Sequence, residues 1–354
     1  MKKIRNLSSI ILVTMLAAGT VLLVVFLSSR QSGSSEPKGT YHSPTLFAMD
    51  TTLDVTIQSR STAQAKADVD AAVKLAREIE ANTSRFKAES DVSKINANAG
   101  VAAVTVHGDT LYLVQTSLDY ARATNGAFDI TVAPISELWG FYSQKYRVPS
   151  SEEIKNILPL VDYTKVQVDP ANSTVMLADR GMQIDLGGIT KGYAVQRMYD
   201  LLKRRGVKHA LINFGGAVGA LGRRADGKEW VVGIKHPRAG GGELVGELHV
   251  SDNFVSSSGD YERYFIENGK RYCHIFNPAT GYQPREVIST TVIGPDSTAD
   301  DILSTSLFVM GPESGLEFMK SRSGTDALII GRAGKLYFTP NMKSKYVITT
   351  VEHI

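Results

Sequence analysis

RYFIENGKRYCHIF, residues 263–276, carries the clearest structural signal in the chain. Two strand-like runs flank Asn268-Gly269, the dipeptide favoured by the two-residue hairpin turn because both central residues take positive φ. A hairpin is antiparallel, and the neighbouring sequence extends the pattern. VISTTVIG (287–294) is a further strand, a helix is expected over 298–310, and another helix and hairpin strands close the chain. Upstream, HALINF (209–214), EWVVGIK (229–235) and ELVGELHV (243–250) read as strands, the last two joined by AGGG (239–242). Earlier still, TTLDVTIQS (51–59) alternates Leu53, Val55 and Ile57, a strand with one buried face. Residues 62–82 and 109–124 have helical spacing, TKVQVDPANSTVMLA (164–178) reads as two strands about Asp-Pro, and MQID (182–185) as a strand before a helix at 189–205. Antiparallel hairpins mixed with long helices argue for an α+β fold, with mixed, largely antiparallel sheets flanked by helices.

The chain has 354 residues, 43% hydrophobic and 21% charged, with a net charge of +3. That balance is ordinary for a globular protein, and no basic stripe interleaved with aromatics points to nucleic acid. Lys2, Lys3 and Arg5 precede an apolar run from Ile10 to Leu27, near the ~20 residues that span a bilayer. An uncleaved signal-anchor over residues 1–30 is expected rather than a cleaved signal peptide, because cutting after Ala17-Ala18-Gly19 would leave VLLVVFL on the mature end. The early cations keep the N-terminus cytoplasmic, which places the remainder at the extracytoplasmic side of a single-pass anchor. SSRQSGSSEPKG (28–39) is a polar linker, so the expected division is anchor 1–30, linker 31–40 and folded region 41–354. No clean boundary interrupts that region, and the one weak candidate falls near residue 208. The single cysteine, Cys273, excludes an intrachain disulfide.

Several short motifs have chemical potential. In HIFNPATGYQP (274–284) a strand carrying His274 runs into a rigid Asn-Pro, Thr-Gly loop of the kind that lines ligand sites. Asp301 and Thr305 lie four apart on a helix, so their oxygens share a face; they suit a hard cation such as Mg²⁺, or Asp301 simply complements the helix dipole. DLGGITKG (185–192) joins a strand to a helix start and reads either as an anion cradle or as a tight turn. It ends neither as a Walker A loop nor as GxGxxG. SRFKAESDVSKIN (84–96) reads as a polar connection, and Phe128 in GAFDITVAP (126–134) as core. Cys273 and His274 are strand neighbours pointing to opposite faces, so a thiol–imidazole dyad is not expected. No HExxH, Gly-x-Ser-x-Gly or paired cysteine ligands appear.

The order of these motifs is more informative than any one of them. Met49-Asp50-Thr51, SRFKAESDVSKIN, GAFDITVAP, DLGGITKG, NFGG (213–216), SSSGDYER (256–263), HIFNPATG and DILSTSLFVMG (301–311) together resemble the FAD:protein FMN transferase family, in the family's order from about residue 45 to beyond 310. The resemblance implies an enzyme that splits FAD with a divalent metal (Mg²⁺ or Ca²⁺), moves FMN onto a Thr or Ser hydroxyl of an acceptor flavoprotein and releases AMP. Acceptors in that family include redox-pump subunits and FMN-binding domains. By the same resemblance, Met49, Phe86, Ala127, Phe128 and Asp129 match positions around the flavin and its nucleotide, and Asp185 and Lys191 flank the pyrophosphate bend. Asp301, Thr305 and the backbone carbonyl around Gly188 match the metal ligands. His274 is the candidate base for the acceptor hydroxyl, with an aspartate as the alternative, and the Ile275 backbone is expected beside the pyrophosphate. Asp50 stands where the family has Gly, and Ser256-Ser257-Ser258-Gly259 where it has Thr-Ser-Gly. The rival readings are an FAD pyrophosphatase giving FMN and AMP, and a membrane-tethered flavin-binding protein without turnover.

Overall fold

The computed structural model describes residues 39–239 and 242–342. The expected anchor and all but the end of the expected linker lie outside them. Among the described residues no helix is long and apolar enough to cross a membrane.

The chain enters through β1 (Tyr41–His42), β2 (Leu46–Ala48) and β3 (Thr51–Ile57), then the long helix α1 (Thr62–Thr83). Ser61 caps α1 by accepting from the Gln64 N–H. Next come α2 (Asp91–Ala97), β4 (Val104–Thr105), α3 (Gly108–Ala123), α4 (Ala133–Leu138), α5 (Ser151–Ile157), β5 (Val166–Asp169), β6 (Thr174–Leu177) and α6 (Thr190–Arg204). A strand-rich half follows with β7 (Ala210–Phe214), β8 (Ala217–Leu221), β9 (Trp230–Lys235), β10 (Leu244–Val250), β11 (Asn253–Gly259), β12 (Tyr264–Glu267), β13 (Lys270–Cys273) and β14 (Val287–Gly294). Helices α7 (Ser297–Met310) and α8 (Pro312–Met319) precede β15 (Asp326–Gly331) and β16 (Leu336–Phe338).

The architecture is α+β, as expected. A nine-stranded sheet runs β1-β3-β7-β8-β11-β14-β15-β16, with β2 paired to β3, and its pairings are antiparallel. Its central strands are buried on both faces, which removes the polar alternation that marks a half-exposed strand. In β7, Ala210, Ile212 and Phe214 join the core beneath α1 and α6, whereas Leu211 joins a second core with Trp230 and Val232 of β9 and Leu248 of β10. A third core sets Val287 and Val292 of β14 against Leu303 and Leu307 of α7. The β12–β13 hairpin is a separate two-stranded sheet, docked by Tyr272 and Phe265 on a cluster containing Trp139, Phe141 and Phe276.

Three expectations are corrected. Residue 208 is no boundary: β3 pairs with β7 from Leu53↔Phe214 to Ile57↔Ala210, so the sheet crosses it. Residues 182–185 form no strand, because the Asn96 side chain takes both the Ile184 N–H (2.7 Å) and its carbonyl (3.0 Å). SRFKAESDVSKIN is more than a connection: its second half is α2, capped by Ser90 accepting from Ser93 N–H at 3.0 Å.

Candidate active site

The site forms where the start of α6, the buried face of α7, the end of β11 and the exit from β13 converge. Gly192 allows this approach. A Cβ there would lie 2.2 Å from the Ser297 carbonyl oxygen and 2.6 Å from Asp301 Cβ, so only glycine lets α6 lie against α7. Its N–H donates to Asp301 Oδ2 at 2.9 Å, and Lys191 Nζ stands 3.3 Å from the same oxygen and donates to the Gly187 carbonyl at 3.0 Å. One helical turn beyond Asp301, Thr305 Oγ1 lies 3.3 Å from Ser258 Oγ, which is itself 2.7 Å from Ser304 Oγ. Gly188 faces this group: a Cβ on it would meet the Phe128 ring at 3.0 Å and Thr305 Oγ1 at 3.9 Å. Asp301, Thr305, Gly188 and Lys191 are therefore together.

Asp300, the residue before Asp301 on α7, is fully buried, and among the described residues no side chain pairs with its carboxylate, only the Gly294 backbone favouring its charged form. Burial, reinforced by Asp296 and Asp301, pushes its pKa well above the ordinary carboxylate value. The shift favours its neutral form.

His274 sits one residue past the end of β13, not within the strand. Its N–H donates to the Arg263 carbonyl at 3.1 Å, and Nδ1 lies 3.3 Å from the same oxygen. A carbonyl can only accept, so Nδ1 carries the hydrogen and Nε2 presents a lone pair. Loss of solvation and the adjacent Arg263 and Lys191 cations drive its pKa down to about 3, so the ring is neutral at physiological pH. The following loop is tied at both ends: Asn277 N–H donates to the Tyr282 carbonyl at 2.8 Å, and Trp139 Nε1 donates to the Gly281 carbonyl at 3.1 Å. Cys273 is a buried thiol whose pKa is pushed up to about 12 by desolvation, which suits packing rather than nucleophilic attack. Lys191, Lys235 and Arg263 all act on Glu262, opposing the rise that burial gives its carboxyl. Two of these cations, Lys191 and Arg263, also act on the ring.

The other predicted residues divide between the mouth and the frame. Asp185 accepts from Gly187 N–H at 2.7 Å and from the Tyr142 hydroxyl at 2.6 Å, which shapes the glycine bend. Tyr142 carries the Arg85 guanidinium 3.7 Å above its ring and meets the edge of Phe86 at 5.6 Å. Phe86 is 59% exposed, an aromatic face at the mouth. Tyr142, Arg85 and Glu262 were given no role of their own from the sequence, and Ser258 only as part of a departure from the family's Thr-Ser-Gly, because their roles depend on partners far along the chain. Met49 and Asp50 take φ of 49° and 60°, the left-handed turn for which glycine is favoured. Met49 N–H donates to Glu80 Oε1 at 2.9 Å, and Asp50 Oδ2 lies 3.4 Å from Arg263. Asp50 thus keeps the turn that a glycine would make.

Ala127 is half-buried and Phe128 buried, as the wall behind Gly188. Asp129 is also part of the frame: Oδ1 accepts from Thr131 N–H (2.7 Å) and hydroxyl (2.6 Å), and Oδ2 from Tyr163 N–H (3.1 Å). Ile275 buries its side chain with Leu303 and Leu307, and its carbonyl accepts from the Cys273 thiol at 3.7 Å.

Residues 49–329 match the family model described as ApbE family. The chain belongs to the ApbE family. It is 38% identical over 245 residues to an FAD:protein FMN transferase of Klebsiella pneumoniae (strain 342), covering 69% of this chain and 76% of that one. An FAD:protein FMN transferase of Treponema pallidum is 33% identical over 285 residues, 77% of this chain and 79% of its own. Among solved structures, the ApbE protein of Thermotoga maritima superposes with a TM-score of 0.80 at 34% identity, covering 87% of this chain and 99% of that chain. The flavin transferase ApbE of Vibrio cholerae gives 0.76 at 26% identity, with coverage of 86% and 98%.

Proposed function

We propose that this chain is an FAD:protein FMN transferase that moves FMN from FAD onto a Thr or Ser hydroxyl of an acceptor flavoprotein. The observation that carries the mechanism is the His274 ring, held by Nδ1 on the Arg263 carbonyl with Nε2 free, beside a cationic and hydroxylic group at the start of α6 and on α7. The acceptor oxygen attacks the FMN-side phosphorus, the pyrophosphate P–O bond breaks, and AMP leaves with the bridging oxygen. The bound phosphates offset the Lys191 and Arg263 cations that depress the basicity of His274, and the hydroxyl proton then passes to its Nε2. Lys191 and Arg263 offset the charge of the phosphates, and the backbone at Gly187-Gly188 approaches them without a Cβ in the way. Asp185, locked by Tyr142, holds that bend.

Among the described residues no group of three His, Cys, Asp or Glu could hold a metal ion. The donors at hand are the Asp301 carboxylate, the Thr305 hydroxyl and the Gly188 carbonyl, all hard oxygens, and so few protein ligands suit Mg²⁺ or Ca²⁺ that completes its shell with phosphate and water. Such a cation would supply Lewis-acid activation of phosphorus. We further place the folded part outside the cytoplasmic membrane, tethered by the apolar run Ile10–Leu27.

Intact-mass spectrometry tests the reading. The chain from residue 40 is mixed with FAD, Mg²⁺ and an FMN-binding domain carrying a Thr or Ser flavinylation site. A mass gain of one phosphoester-linked FMN on the domain, with AMP released, is expected. AMP without the gain means that water is the acceptor, and bound FAD with neither product overturns the enzyme reading.

A further inference from the structure

We infer that the outer edge of β12 is the docking strand for the acceptor protein, whose hydroxyl-bearing segment adds to it as a third, extended strand. The inference rests on the transferase reading and specifies its partner surface.

Among the described residues β12 pairs with β13 alone. Because His274 N–H donates to the Arg263 carbonyl, that pair is hydrogen-bonded, and antiparallel alternation then fixes the rest. Phe265 and Glu267 turn their backbone groups toward Tyr272 and Lys270, while Tyr264 and Ile266 turn theirs outward. Both are exposed, at 39% and 62%. The other edge of the hairpin is less free: the Arg271 carbonyl accepts from Arg285 at 2.7 Å, and Cys273 is buried. A free edge presenting unpaired N–H and C=O groups is a template for strand addition.

Continuity and charge select an acidic acceptor segment. The edge leads to Arg263, whose carbonyl holds His274 on the opposite side of β12, so the hydroxyl belongs on the part of the segment that continues beyond the paired residues and turns over Arg263 to the ring. Beside the edge, the Arg271 guanidinium lies 3.7 Å over the Tyr264 ring with its Nη1 buried and unpartnered. Lys270, Arg271 and Arg285 have no carboxylate within salt-bridge distance among the described residues. Side chains of an incoming strand on the Tyr264 face would meet one ring, one aliphatic chain and Arg271, a match for apolar and carboxylate groups.

The test combines FMN-transfer kinetics for Ile266→Pro and Ile266→Thr with amide exchange on the unsubstituted chain. The probe is the same FMN-binding domain with a Thr or Ser flavinylation site. Proline removes an N–H that donates nothing to β13, so the hairpin tolerates it at an edge. Ile266→Pro is expected to raise KM for the domain about tenfold while KM for FAD holds, and Ile266→Thr, which keeps the N–H and trims only the aliphatic chain, to raise it by less than half as much. Adding the domain is expected to slow exchange of the Tyr264 and Ile266 amides. Efficient FMN transfer with exchange at those amides unchanged overturns the docking strand and leaves the activity standing. No transfer and no AMP from the unsubstituted chain overturns the functional reading, and the docking strand with it. Should Ile266→Pro unfold, the exchange measurement on the unsubstituted chain decides.

Discussion

His274 resists protonation in the folded chain down to about pH 3, whereas an unfolded histidine takes a proton near 6.5. Between those values the unfolded state binds more protons, so this residue makes stability rise with pH and withdraws that contribution as pH falls. Urea unfolding at pH 4.5 and 7 should therefore show a smaller pH difference for His274→Asn than for the unsubstituted chain; equal differences would refute the neutral ring. For the same reason the acid limb of kcat/KM, which reports the free enzyme, should lie below pH 5. Gly192 is a second residue-scale case. Its backbone angle is ordinary, but a Cβ would strike Ser297 and Asp301, so Gly192→Ala should lower stability by about 1–3 kcal/mol through forced separation of α6 and α7. FAD binding, read by flavin fluorescence, should fall with it, because Asp301 loses the Gly192 N–H.

The hairpin is an element whose two ends have separate jobs. Asn268 and Gly269 take φ of 50° and 71°, the doubly left-handed turn that their sequence announces. Open space surrounds Gly269, so Gly269→Ala carries only the backbone cost of about 1–2 kcal/mol, without a clash. Thermal melts should place it at or below the loss from Gly192→Ala. The other end of the hairpin sets His274 and rests on Trp139, which is fully buried. Trp139→Ala should cost about 3–5 kcal/mol, and transfer to the acceptor should fall further than FAD binding, because the cluster holds the His274 loop rather than the phosphate bend. Equal losses of both would place Trp139 in general folding alone.

Across the whole molecule, the sheet joins chain halves that sequence leaves far apart. β3 pairs with β7, and α1 and α6 share a core with both strands. Separately expressed segments 39–207 and 208–342 should each lack the cooperative melt of the intact region, since each exposes a long sheet edge or an uncovered helix face. A cooperative melt from either half would show that the sheet is not the unit of folding.

Local physics determined much of this protein. Turn chemistry at Asn268-Gly269, helical spacing over α1, α3 and α7, and alternation in β3 set the α+β class, because each depends on residues within one or two turns of chain. The shared face of Asp301 and Thr305 was legible for the same reason: a helix places residues four apart together wherever it packs. MQID failed because its backbone partner is an Asn side chain from α2, and the locking of Asp185 by Tyr142 was invisible because the two are 43 positions apart. The Arg263 carbonyl that sets the His274 tautomer depends on strand register, and the opposing cations on the folded surroundings. Those parts of the site belong to tertiary structure, since hydrogen-bond partners and desolvation are fixed only when distant segments close around one another.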